Sequence, residues 1–185
     1  DSQSYFLEYV NTTFRQITDG FIKEDLGMLH KAESTMRRKR EELKNSRRKE
    51  MIGFRKIDPE VAMEKNTWFH LGRNSCEEIL YCLRRIADPC EEHVDNNFVP
   101  LSKEQVKEYI PLRDTVLFLL RRTGKILQTD SYGEVDDVRR EAEELKDCLE
   151  KAREAQMQRM QSSKENITVA YLYLNLLQET RELTS

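Results

Sequence analysis

Cysteine and histidine side chains are the groups in this chain best suited to metal or nucleophilic chemistry, and Cys90 and His93 stand three residues apart. On a helix this spacing places a thiol and an imidazole on one face, as half of a zinc site would require. A structural zinc site needs four ligands, and the sequence offers no second pair of this kind. We therefore predict a core-lining cysteine beside an interfacial histidine, with metal binding as the alternative.

Carboxylates four residues apart could also bind a metal ion from one helix face, and two such pairs stand out. They are Glu91 with Asp95, and Glu143 with Asp147. The chain contains 34 Asp and Glu residues, so chance alone supplies several pairs at this spacing. The pattern favours solvated acidic faces over metal sites.

Four cysteines raise the question of disulfides. Three of them, Cys76, Cys82 and Cys90, are six and eight residues apart on one predicted helix. A rise of 1.5 Å per residue separates them by about 9 to 12 Å, which is too far for a bridge within that helix. No CxxC pair occurs, and Cys148 lies far along the chain. We predict reduced, mostly buried thiols of a cytosolic protein.

Catalytic motifs are absent from the sequence. It contains no P-loop, no GxGxxG, no HExxH and no GxSxG. The Glu-x-x-His motif of carboxylate-bridged metalloenzymes in helical bundles is also missing. We therefore predict a protein that is not an enzyme and has no cofactor, and keep a helical-bundle metalloprotein as an alternative.

A run of basic residues is the strongest charge feature of the chain. It places eight cations within thirteen residues, offset locally by two glutamates: Arg37, Arg38, Lys39, Arg40, Lys44, Arg47, Arg48 and Lys49. Three interpretations remain open: a solvated helix face, contact with anionic headgroups or the cytosolic side of a membrane protein, and nucleic-acid binding. The last is least favoured, because no aromatic residues interleave with the run and the net charge is −3.

These side chains must be positioned by helices. Charged residues make up 35% of the 185, whereas there are only 6 Gly and 4 Pro, a composition typical of long helices with narrow apolar stripes. Apolar periodicity predicts an all-α antiparallel bundle of six helices, with loops near Asp58, at 97–101 and at 129–133. The predicted helices span about 4–22, 24–56, 60–97, 103–128, 134–161 and 163 to the end.

Local residues refine these helices. Asp19 and Gly20 predict a break or loosening of the first helix, and Pro89 predicts a kink in the third. Pro59 suits a first helical turn. Ser102 and Gln105 have the spacing of a capping box at the start of the fourth helix.

An internal repeat organises the chain. Met36–Lys44 (MRRKREELK) nearly matches Val138–Lys146 (VRREAEELK), 102 residues later, and Glu77 matches Glu179 at the same offset. We interpret the chain as one domain over 1–185, built of two tandem three-helix units at about 4–97 and 102–185. The predicted core residues are Trp68, Leu71, Ile79, Leu83, Val116, Leu120, Leu145 and Leu174.

Several phrases of the sequence resemble a known family. They are Tyr5–Val10 (YFLEYV), Ile17–Phe21 (ITDGF), Leu83–Asp88 (LRRIAD), Asn96–Phe98 (NNF) and Ala170–Thr180 (AYLYLNLLQET). Over its whole length the chain resembles the PhoU-like cytoplasmic domain at the C-terminus of Pit-type inorganic phosphate transporters of bacteria. The resemblance implies two tandem three-helix units, and a regulatory or accessory role at the cytoplasmic face of the inner membrane. The partner it implies is the transmembrane permease module of the same chain, so we expect the sequence to be an excerpt of a longer membrane protein. A freestanding PhoU-type regulator acting in trans is the alternative, and the oligomeric state stays open.

The resemblance also bears on metal binding. PhoU proteins often bind iron or zinc through Glu-x-x-x-Asp motifs, but here Arg84 stands where the glutamate would precede Asp88, and Leu183 follows Glu179 in place of an aspartate. Each half keeps at most one carboxylate of the pair, and we expect Arg84 and Asp88 to form an ion pair. We therefore expect no bound metal. Four carboxylates remain as weak candidates: Asp88, Glu91, Asp95 and Glu179.

Overall fold

The computed structural model describes residues 2–54, 59–162 and 164–184, with the backbone alone for residues 2, 50–54, 59 and 61–74. This part of the chain forms six α-helices and a 3-10 turn, and contains no β-strand. The helices are α1 (Ser2–Ile22), α2 (Leu26–Phe54), α3 (Pro59–Asp95), α4 (Lys103–Thr129), α5 (Val135–Ser162) and α6 (Ile167–Thr184). The all-α bundle predicted from the sequence is confirmed.

Short polar segments end and begin these helices. After α3, Asn97 adopts the left-handed conformation with φ 55°, and the Phe98 N–H donates to the His93 carbonyl at 3.1 Å. This arrangement satisfies carbonyls that the helix end would leave unpaired. The capping box at α4 is confirmed: Ser102 Oγ accepts from the Gln105 N–H at 3.1 Å, and Gln105 Oε1 accepts from the Ser102 N–H at 2.9 Å.

Helix α1 lies at the centre of the bundle and packs against α2, α3 and α4. Its apolar residues recur every three to four positions, and the side chains of Val10, Phe14 and Ile17 are completely buried. Helix α5 packs between α4 and α6, and α3 contacts α6. Neighbouring helices therefore pack within each half, and the α1–α4 and α3–α6 contacts join the halves. Whether the halves are true repeats stays a prediction.

The predicted core residues are buried to different degrees. Leu83, Val116 and Leu145 are buried, whereas Ile79 and Leu120 are only partly buried against the core. Leu174 is also only partly buried, because Tyr173, Leu176 and Leu177 take the inner positions of α6. Trp68 and Leu71 lie outside the described side chains, as does His70.

Two local predictions need correction. Helix α1 does not break at Asp19 and Gly20. A Cβ at Gly20 would lie 3.0 Å from the Leu29 side chain, so the glycine allows α2 to approach closely. Helix α3 continues through Pro89 as far as Asp95, and the kink at Pro89 stays a prediction. Helix α6 begins at Ile167, four residues later than predicted, after the Asn166 side chain accepts from the Val169 N–H at 3.2 Å.

The predicted loop at Asp58 lies outside the described residues. None of the helices in the described part of the chain carries an apolar stretch long enough for a membrane span.

Candidate functional site

The Cys90–His93 pair lies in the core of the described structure. His93 Nε2 donates to the Val99 carbonyl at 2.6 Å, and the imidazole packs edge-on between the rings of Phe21 and Phe98. Cys90 is buried, and burial raises the pKa of its thiol. The geometry agrees with the prediction of a core cysteine beside an interfacial histidine. Through its hydrogen bond and ring contacts, the imidazole connects the loop after α3 to α1.

Two of the candidate metal-binding carboxylates, Asp88 and Glu179, lie against arginines. Asp88 Oδ2 is 3.5 Å from Arg84 Nε, as the four-residue spacing predicted. Glu179 Oε2 accepts from Arg85 Nε at 2.8 Å, and this ion pair joins α3 to α6. Both carboxylates therefore already have a cationic partner. Glu77, the repeat match of Glu179, is exposed and does not share this pair.

Glu91 lies in a group of charges between α2 and α3. Its carboxylate is 3.0 Å from His30 Nε2. Desolvation, together with the nearby Glu33 carboxylate, raises the pKa of Glu91 above its ordinary value, and the attraction of His30 opposes the rise. Asp95 is exposed at the end of α3. The structure therefore brings Glu91 near Asp88 but joins neither to Asp95 or Glu179.

No group of three or more His, Cys, Asp or Glu side chains in the described residues has a geometry suited to a metal ion. The second predicted acidic pair fits a solvated face, since Glu143 and Asp147 are both exposed on α5. Glu143 accepts from Lys146 at 3.2 Å.

The thiols differ in their surroundings. All four cysteines are free, and Cys82 is buried whereas Cys148 is exposed. Burial, and next the negative charge of Glu179, raise the pKa of Cys82 to about 12. A thiol with this pKa stays protonated near neutral pH and is a poor nucleophile. Cys82 is therefore a packing residue, as the sequence predicted for most of the cysteines.

The basic run lies in the middle of α2, beyond most of the core contacts that its described side chains make. Met36 is buried and Leu43 is partly buried, but every residue from 44 to 49 is exposed. The Arg37 and Lys44 side chains are 67% and 71% exposed. These cations therefore project from a part of the helix that contributes little to the core.

Two members of the run, Lys39 and Arg40, are partly buried. Lys39 lies 5.2 Å from the centre of the Tyr9 ring and 3.3 Å from Glu42, so its stem covers part of α1. Arg40 is half-buried in the groove between α2 and α3, opposite Arg84.

A polar network between α4, α5 and α6 was missed by the sequence interpretation. Glu108 Oε1 accepts from the Tyr173 hydroxyl at 2.7 Å and from Arg159 at 3.0 Å. Arg159 also donates to Gln156, which is buried and bonds to Glu165 at 2.8 Å. Burial raises the pKa of Tyr173, and its hydrogen bond to Glu108 adds to the rise. The network joins three helices and pairs its carboxylates with donors, so we assign it a structural role in the second half.

Against this geometry, comparisons with known proteins add no identification: no family model, curated protein or solved structure matches the chain. The fold and the side-chain arrangement are therefore the basis for any functional proposal, together with the resemblance of short phrases.

Proposed function

We propose that this chain is a cytoplasmic regulatory or accessory domain of an inorganic phosphate transporter, which docks through its basic run on the anionic membrane surface beside the transporter. The observation that carries the proposal is the cluster of eight cations in α2, of which those at residues 44–49 lie in a fully exposed segment. The resemblance of five sequence phrases to PhoU-like domains supports the same proposal.

Charge energetics explain why such a surface would serve binding and not folding. Exposed ion pairs typically contribute less than about 1 kcal/mol each to stability. Near an anionic membrane each Lys or Arg contributes about 1 kcal/mol to binding. Several cations on one helix can therefore hold the domain at a membrane while changing its stability little.

The test replaces Arg37, Arg38, Arg47 and Arg48 together with Gln. A control variant replaces four arginines elsewhere, Arg121, Arg139, Arg140 and Arg153, and so removes the same charge. The first variant should lose binding to vesicles of anionic phospholipid in flotation assays, and should alter phosphate uptake by the full-length transporter. The control should retain both properties, and added salt should weaken the wild-type binding.

Two results would contradict the proposal. If the first variant unfolds, the run is part of the fold. If both variants bind vesicles and support uptake equally, the run is a solvated helix face and the regulatory assignment loses its structural support.

A further inference from the structure

A small groove between α2 and α3 lies at the inner end of the basic run. Its volume is about 60 Å³, space for a few waters or one small ion. Three arginines line it, Arg37 and Arg40 from α2 and Arg84 from α3, above a buried floor of Met36 and Leu80. We call this groove the arginine pocket.

The guanidinium groups of this pocket retain free donors. Arg37 donates to Glu33 at 3.0 Å, and Arg84 is 3.5 Å from Asp88, each through one nitrogen. A guanidinium carries five N–H donors, so most remain available. The Arg40 side chain forms no hydrogen bond or ion pair to any described residue, although it is half-buried. An unpaired cation beside two partly paired ones attracts an anion.

The chemistry of the pocket selects a particular class of anion. Arginine forks match the oxygen spacing of phosphate and carboxylate groups and bind them through pairs of parallel hydrogen bonds. Lys44 and Arg47 follow Arg40 at four and seven residues along one helix face, and their field concentrates anions near the pocket. The two carboxylates at the rim, Glu33 and Asp88, already occupy single donors and would compete with an entering anion.

We propose that the arginine pocket binds a single phosphate group, as inorganic phosphate or as the phosphomonoester headgroup of a lipid. Arg40 and Arg84 supply the principal donors, and Asp88 limits the affinity. The proposal goes beyond docking by the basic run, because it concerns a stoichiometric site that the isolated domain should possess.

The experiment titrates the full chain with inorganic phosphate at low ionic strength, by calorimetry and by NMR of the arginine Nε–H groups. In parallel it measures binding to vesicles with and without phosphatidic acid. Arg40→Gln combined with Arg84→Gln should weaken binding roughly tenfold or more. Arg139→Gln with Arg140→Gln, which removes two exposed arginines of α5, is the matched control and should leave binding unchanged.

Asp88→Asn supplies a second, opposite test, because it removes a competing carboxylate without removing a donor. This variant should bind phosphate more tightly than the wild type. Saturable binding of free phosphate with these responses supports a soluble ligand, and the same responses with phosphatidic acid vesicles alone support a lipid headgroup. The proposal is overturned if neither probe binds, or if binding responds equally to the pocket and control variants. A variant that replaces only Arg47 and Arg48 with Gln keeps all three pocket arginines. Its failure to affect docking would leave the phosphate result unchanged, so the two proposals can fail separately.

Discussion

The two near-identical segments of the chain are used in different ways. Met36–Lys44 lies in α2 and Val138–Lys146 lies in α5, and both carry the same Glu-Glu-Leu-Lys ending. In α5 the row of buried residues begins with Leu145 inside the segment and continues beyond it with Leu149 and Ala152. Among the described side chains of α2, Leu43 is the last that packs against the core, and residues 44–49 are exposed.

The residues just beyond the shared segments explain this difference. At the offset of 102 residues, Arg47 stands in α2 where Leu149 stands in α5. A buried leucine fixes a helix to its neighbours, whereas an arginine cannot enter the core without a partner. Arg47 accordingly lies among the exposed residues 44–49 of α2, whereas Leu149 is buried in α5.

The two segments also differ in how their basic side chains are paired with acidic ones. The Arg139 and Arg140 side chains lie 3.7 and 2.8 Å from Asp136 and Asp137, one turn earlier on α5. The matching positions of α2 hold Ser34 and Thr35, which carry no charge, so Glu33 is the one acidic partner in that turn and pairs with Arg37. The α5 copy is thus neutralised locally, and the α2 copy keeps a net positive charge that is available for binding.

The comparison is tested most directly by truncating the side chains at the matched positions 47 and 149 to alanine. Leu149→Ala should lower the free energy of unfolding by about 2–5 kcal/mol, because Leu149 is 1% exposed and its removal leaves a cavity. Arg47→Ala should change it by less than about 0.5 kcal/mol. Urea denaturation followed by circular dichroism measures both, and similar losses would show that α2 packs as α5 does.

The Glu108 network should show the next largest effect. Glu108→Ala deprives Arg159 and Tyr173 of an acceptor, and we expect a loss of about 1–3 kcal/mol. Glu150→Ala, which removes a more exposed carboxylate paired to Arg153 within α5, is the control and should cost less than about 0.5 kcal/mol. A small effect of Glu108→Ala would mean that the neighbouring carboxylates replace Glu108.

How far the sequence predicts this molecule depends on the distance between the residues concerned. The helices follow from apolar periodicity, and the Ser102–Gln105 cap and the Arg84–Asp88 pair follow from spacings of three and four residues. The sequence cannot show which helix faces meet. The pairing of Arg85 with Glu179 spans 94 residues, and that of Glu108 with Tyr173 spans 65.

The sequence also does not fix how each helix is rotated about its own axis, which limits the prediction of which side chains are buried. The stripe on α6 is wide enough to place either Leu174 or Tyr173 inward, and only the contacts with α4 and α5 select Tyr173. The arginine pocket was also missed, because it needs Arg40 and Arg84 from two helices. One sequence feature could have indicated the exposed part of α2. Arg47 stands where the apolar pattern of α5 has Leu149, and a basic residue at such a position predicts exposure.

Hydrogen exchange should distinguish the two helices without any mutation. Amides of residues 44–49 belong to a helical segment with exposed side chains, whereas residues 146–151 include the buried Leu149. Exchange at the first segment should occur by local opening, and exchange at the second should approach the rate set by global unfolding. Equal protection of both segments, measured by NMR or mass spectrometry, would contradict the projection of α2.

The smallest expected effect concerns the charges between α2 and α3. The pKa of Glu91 is raised above its ordinary value of 4.5 by desolvation and then by Glu33. The folded state therefore holds this proton more tightly than the unfolded state, and the resulting stabilisation is complete below the unfolded pKa. It is lost as the pH rises through the folded pKa. The difference in stability between the wild type and Glu91→Gln should accordingly fall as the pH rises from about 4 towards neutrality.

Glu33→Gln should reduce this pH dependence, because it removes a like charge beside Glu91. A difference that grows with pH would show that the attraction of His30 outweighs desolvation and the repulsion of Glu33. The contact between α2 and α3 would then be stabilised by an ion pair, as the α4–α5–α6 network is.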